Sequence, residues 1–158
     1  MAHLDPIGSI ALLLMGFGWA KPVPVDVRYL RNPKEDMVKV AAAGPISNLL
    51  LAVIAALCLR FLFGNNLLTG SIKSFIVIFM QINITLAIFN LLPVSPLDGS
   101  QILSPFIERK FGIEMVYKME MYGPRVLFFI IIFSMVTGIH LFSFIINPIF
   151  NLFLYIFF

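Results

Sequence analysis

The sequence is poor in charge, in cysteine and in histidine, and each shortage excludes something. Charged residues make up 12% of the 158 positions, against about a quarter in an average soluble domain. A water-soluble globule of this size needs more polar surface, so a soluble enzyme or binding module does not fit. A single cysteine, Cys58, rules out an intrachain disulfide and a cysteine-based zinc cluster. The two histidines are His3 and His140. The net charge of +3 comes from scattered Lys and Arg with no basic stripe interleaved with aromatics, so nucleic acid is not an expected partner. What the chain has in abundance is apolar residues, 60% of the total, with a mean hydropathy of +0.99. A disordered chain would show the opposite composition.

Charge-free runs set the organisation. Val40 to Leu59 is 20 residues without a charge, Ser74 to Leu97 is 24, and Val126 to Phe158 is 33. A bilayer core takes about 20 apolar residues as helix. The sequence therefore predicts one all-α, polytopic membrane domain over 1–158, with three transmembrane helices at 40–62, 73–92 and 126–146. Asn147-Pro148 is expected to end or kink the third helix, leaving 149–158 as a short apolar tail. Residues 6–20 form a 15-residue apolar run interrupted by Gly8, Gly16 and Gly18, which suits a re-entrant or interfacial segment. Lys and Arg concentrate in 21–39 and 99–125, so the positive-inside rule predicts that these loops are cytoplasmic. Residues 99–125 also suit a short helical hairpin.

Polar residues at membrane depth point to the bundle interior or a wet cavity. Gly44, Asn48, Ala52 and Ala56 recur every four residues and share a face, where small side chains let another helix approach. Asn48 there suits a bond across to a neighbouring helix. Asn83, Ala87 and Asn90 share a face of the second helix. That helix runs into Asn90-Leu91-Leu92-Pro93-Val94-Ser95-Pro96-Leu97-Asp98-Gly99, where two prolines break it and Gly99 permits a turn. Asp98 is the only carboxylate between Asp36 and Glu108. An acidic group at the end of a broken intramembrane helix is a candidate functional group, and also a common cap or turn residue.

Four ordered stretches carry a resemblance. They are His3-Leu4-Asp5-Pro6-Ile7-Gly8; Gly18-Trp19-Ala20-Lys21-Pro22-Val23-Pro24-Val25 with Arg31-Asn32-Pro33; Ala43-Gly44-Pro45-Ile46-Ser47-Asn48; and Asn90-Leu91-Leu92-Pro93 through Pro96-Leu97-Asp98-Gly99. With Tyr122-Gly123-Pro124 further on, the chain resembles a compact bacterial member of the site-2 protease family of intramembrane zinc metalloproteases. The resemblance implies that Asp98 is the third zinc ligand and that Asn48 helps place the substrate or the oxyanion. Gly44, Pro45, Asn90, Pro93 and Gly99 would be structural parts of the motifs. In that family the other two ligands and the general base come from a His-Glu-x-x-His helix, and the metal leaves one position open for water.

This sequence contains no His-Glu-x-x-His: neither His3 nor His140 has a Glu next to it or a His four residues on. The expectation is a chain shortened at its N-terminal side, catalytically inactive as it stands, that holds no zinc stably. The resemblance further implies membrane lipid and a membrane-embedded protein substrate as partners, homo-oligomerisation through an uncovered helix face, and residence in the bacterial cytoplasmic membrane. Two other classes share the intramembrane polar residues. One is a non-catalytic binding or scaffold subunit for membrane proteins; the other is a small transporter component, for which no internal repeat speaks.

Overall fold

The computed structural model describes residues 31–63, 70–138 and 142–157. Among them lie five helices and no strand: α1 (Pro33–Phe63), α2 (Gly70–Asn90), α3 (Asp98–Phe111), α4 (Ile113–Thr137) and α5 (Ser143–Phe157). Save for the first residue of α1, they belong to one compact unit, Lys34–Phe158. Three of them, α1, α2 and α4, are long and apolar enough to cross a membrane. The protein is an all-α polytopic membrane protein. At 15 residues α5 reaches about 22 Å, short of the ~30 Å hydrocarbon layer.

The apolar runs locate the membrane, but charged turns extend the helices beyond it. α1 starts at Pro33, seven residues before the span expected at 40–62. Pro33 suits a first helical position, since its missing N–H would have no partner there. Glu35 and Asp36 in the first turn complement the helix dipole, and Lys39 Nζ closes on Asp36 Oδ1 at 2.8 Å. α4 likewise begins at Ile113 rather than near 126, because Glu114, Lys118, Glu120 and Arg125 ride on helix and not on loop. It stops at Gly138, whose left-handed φ of 69° ends the helix, before the expected 146. Asn147-Pro148 does not end a helix. Pro148 sits inside α5, which also takes up most of the expected tail. Residues 99–125 form α3 and the first half of α4, joined through Gly112 at φ +83°. The segment 6–20 lies outside the described residues.

The core is built from small against large. Ala52, Ala55, Ala56 and Leu59 of α1 pack with Met80, Ile84 and Ile88 of α2, and Ile146, Phe150, Phe153 and Phe157 of α5 close over them. Of the small face read from the sequence, Ala52 and Ala56 have no exposed surface, Asn48 is half-buried and Gly44 is exposed. Arg60 of α1 donates from its guanidinium to the Phe157 carbonyl at 2.9 Å, fastening the end of α5. α3 packs on α4, and Lys34 at the start of α1 bridges Glu108 of α3 at 2.7 Å.

Prolines inside α1, α3, α4 and α5 each remove one helical donor. In α3 the gap is filled locally. Pro105 leaves the Gln101 carbonyl without its usual N–H, and the Ser104 hydroxyl donates to it at 2.9 Å. Ser47, Asn83 and Thr137 also donate to carbonyls of their own helices.

Candidate functional site around Asp98

The site is formed where α2 stops. The Leu91 N–H still reaches the Ala87 and Ile88 carbonyls, and the Leu92 N–H reaches Phe89. Pro93 cannot continue the pattern. The chain then turns twice, Val94 N–H to Leu92 and Leu97 N–H to Val94, with a cis peptide between Ser95 and Pro96. Asp98 is the first residue of α3. The turn is held tight by Gly99, where a Cβ would run into the Leu91 carbonyl and sit 2.5 Å from the Leu92 oxygen. It is also clamped by α4. A Cβ on Gly123 would lie 2.7 Å from both the Cβ and the carbonyl oxygen of Ser95.

Asp98 faces α1. A Cβ on Gly44 would come 3.2 Å from Asp98 Oδ2, so the missing side chain is what lets the carboxylate rest against α1. Pro45 beside it is fully buried. Asn48 is half-buried one turn along the same α1 face. Neither Asp98 nor Asn48 has a hydrogen-bonding or charged partner among the described residues. Partial burial pushes the Asp98 carboxyl above the ordinary carboxylate range.

The structure brings Gly44 and Asp98 into contact and puts Pro93 and Gly99 in the same break. Asn90, half-buried, is the last residue of α2. Asn83 is buried on the shared face, but its amide donates to the Phe79 carbonyl of its own helix. His3 and His140 lie outside the described residues. The clamp of Gly123 on Ser95 carries no signal in sequence beyond the Tyr122-Gly123-Pro124 triplet, because the approach is tertiary.

A catalytic zinc needs three protein ligands. Among the described residues, no group of three His, Cys, Asp or Glu side chains stands close enough to hold a metal, and Asp98 offers a single carboxylate. These residues do not by themselves fit the metal, so no chemical step is derived through it.

Comparison with known proteins supplies the lineage. Residues 9–134 match peptidase family M50. The chain is 38% identical over 154 residues to YwhC of Bacillus subtilis (strain 168), named as a zinc metalloprotease, covering 94% of this chain and 67% of that one. It is 34% identical over 113 residues to MJ0611 of Methanocaldococcus jannaschii, similarly named, covering 70% of this chain and 56% of that one. No solved structure matches. The chain belongs to peptidase family M50, the site-2 protease family, whose metal is zinc. It spans about two thirds of the length of YwhC and just over half that of MJ0611.

Proposed function

We propose that this chain carries the aspartate-bearing part of an intramembrane metalloendopeptidase centre, and that the 158-residue polypeptide alone does not cleave peptide bonds. The observation that carries the reading is the Asp98 carboxylate, unpartnered among the described residues and seated on a side-chain-free patch of α1 at Gly44. A partly buried carboxylate without a partner carries a desolvation cost, and such groups gather at functional sites. Asp98 serves as one metal ligand. Asn48, on the same face, donates its amide to the carbonyl oxygen of a bound peptide. The remaining ligands and the general base come from a His-Glu-x-x-His helix that these 158 residues do not contain.

The wider reading follows from charge and surface. The Lys- and Arg-rich stretches 21–39 and 99–125 face the cytoplasm of a bacterial cell, and the substrate is a membrane-embedded protein cut near that side. The exposed apolar stripe Leu50, Ile54, Leu57 and Phe61 on α1 suits contact with lipid or with another membrane helix, self-association included.

The test is complementation. The 158-residue chain is purified in mild detergent, with and without a co-expressed membrane helix bearing His-Glu-x-x-His, and zinc content and cleavage of a membrane-spanning peptide are read together. Alone, the chain should retain no zinc and cut nothing. With the helix it should retain about one zinc, and Asp98→Asn should remove it. Zinc-dependent cleavage by the chain alone, or zinc retention indifferent to Asp98→Asn, refutes the corresponding half.

A further inference from the structure

A groove of about 340 Å³ lies on the far side of the 93–95 turn, between that turn and α4. This is within the size range of small-ligand sites, at its lower end. Its walls are apolar, with Pro93 and Val94 on one side and Met119 and Val126 on the other. Two polar side chains interrupt them, Lys118 and Tyr122.

The spacing of the polar residues is informative. Lys118, Tyr122 and Arg125 stand at i, i+4 and i+7, so they form one stripe on α4, with Lys118 and Tyr122 lining the groove and Arg125 just beyond it. The Arg125 guanidinium sits 5.7 Å from the centroid of the Tyr122 ring, so it is stacked on a wall of the groove. Neither Lys118 nor Arg125 has a carboxylate partner among the described residues, although Glu114 and Glu120 belong to the same helix. Arg125 is also the last charged residue of the chain, and every position from Val126 onward is uncharged. The stripe therefore marks the level at which α4 passes from headgroups into hydrocarbon. Basic side chains with a tyrosine are the usual furniture of that level.

We propose that the groove seats an acyl chain of an anionic membrane phospholipid, with the phosphate held by Lys118 and Arg125. The apolar walls match the chain, and Lys118 on the groove wall with Arg125 flanking it beside Tyr122, neither with a carboxylate partner among the described residues, match the headgroup. An embedded apolar peptide would use the walls but leave both cations unmatched. The lipid braces the 93–95 turn from behind, three residues before Asp98. This inference stands whether or not Asp98 binds metal.

The experiment is native mass spectrometry of the full 158-residue chain in non-ionic detergent, titrated with phosphatidylglycerol or phosphatidylcholine. Phosphatidylglycerol should be retained in preference, with one tight site. Each basic residue near a membrane surface contributes about a five-fold gain for an anionic lipid, so Lys118→Gln with Arg125→Gln should weaken phosphatidylglycerol retention roughly thirty-fold. Both positions are solvent-facing, and circular dichroism checks that the helices persist. Val126→Trp, which fills the groove and leaves the cations, should lower retention of both lipids. Equal retention of the two lipids, or a charge-free variant that keeps phosphatidylglycerol, overturns the proposal. So does displacement of the lipid by a neutral transmembrane peptide at equimolar concentration, which would make the groove a peptide site.

Discussion

Replacing Gly99 by alanine should be the most damaging single-methyl change in the described part of this protein. The added Cβ would overlap the Leu91 carbonyl and lie 2.5 Å from the Leu92 oxygen, where ordinary contact begins at 3.4 Å. Both obstacles are backbone, so no side-chain rotation relieves them. The start of α3 must move by about an ångström away from the end of α2. Inserting a methyl into a packed site costs typically 1–3 kcal/mol, and a backbone obstacle belongs at the top of that range. The gain in helix propensity from Gly to Ala, about 1 kcal/mol, offsets only part of a larger clash and is smaller in a first turn. A net loss of about 2–3 kcal/mol is expected. The assay is reversible unfolding in mixed micelles with increasing SDS, followed by circular dichroism. Gly70→Ala is the control, since among the described residues nothing lies within 4 Å of the Cβ it would gain. If Gly99→Ala unfolds within 1 kcal/mol of the parent, the turn is not held by this approach and the description of the site is wrong.

Four further outcomes are expected. Gly44→Ala should leave stability unchanged or slightly raised, because its only close neighbour among the described residues is the rotatable Asp98 carboxylate, while zinc retention in the complemented protein falls. Equal zinc retention would separate Gly44 from the site. Gly123→Ala, facing the Ser95 backbone, should cost about 1–3 kcal/mol in the same unfolding assay. Met80→Ala, in the centre of the α1–α2–α5 core, should cost about 2–5 kcal/mol, and a loss below 1 would contradict the packing. Lys34→Ala should cost less than about 1 kcal/mol, since its bridge to Glu108 leaves the lysine 72% exposed, and the loss should shrink further in high salt.

Much of this arrangement was legible in the sequence, and what escaped has physical causes. Charge-free runs located the three long helices because burying a charge in hydrocarbon is costly. Pro93 and Pro96 announced the break, and Gly44 and Ala52 to Ala56 announced the face on which α1 is approached. Helix ends were misplaced because hydropathy reports the bilayer and not the hydrogen bonding. Lys39 and Lys118 stop a membrane span without stopping a helix. Asn147-Pro148 looked like a terminator, yet Gly138 ended α4 first and left Pro148 inside α5. Asn48 suited a cross-helix bond by its face but has no partner among the described residues, and the Asn83 amide turned back to Phe79 within its own helix. The clamp of Gly123 on Ser95 joins residues far apart in sequence, which no local pattern records.

The habit of these side chains to bond within their own helix bears on how the protein is made. Ser47, Asn83, Ser104 and Thr137 each satisfy their donors on a carbonyl three or four residues back. A segment with its polar atoms already paired can leave the insertion machinery for the lipid without waiting for a partner. For Ser47 of α1, Asn83 of α2 and Thr137 of α4, this local pairing lowers the cost of entering the bilayer before the helices meet. Asp98, a carboxylate with no such local relief among the described residues, becomes a group whose comfort depends on the finished assembly, so its surroundings report whether biogenesis has gone to completion.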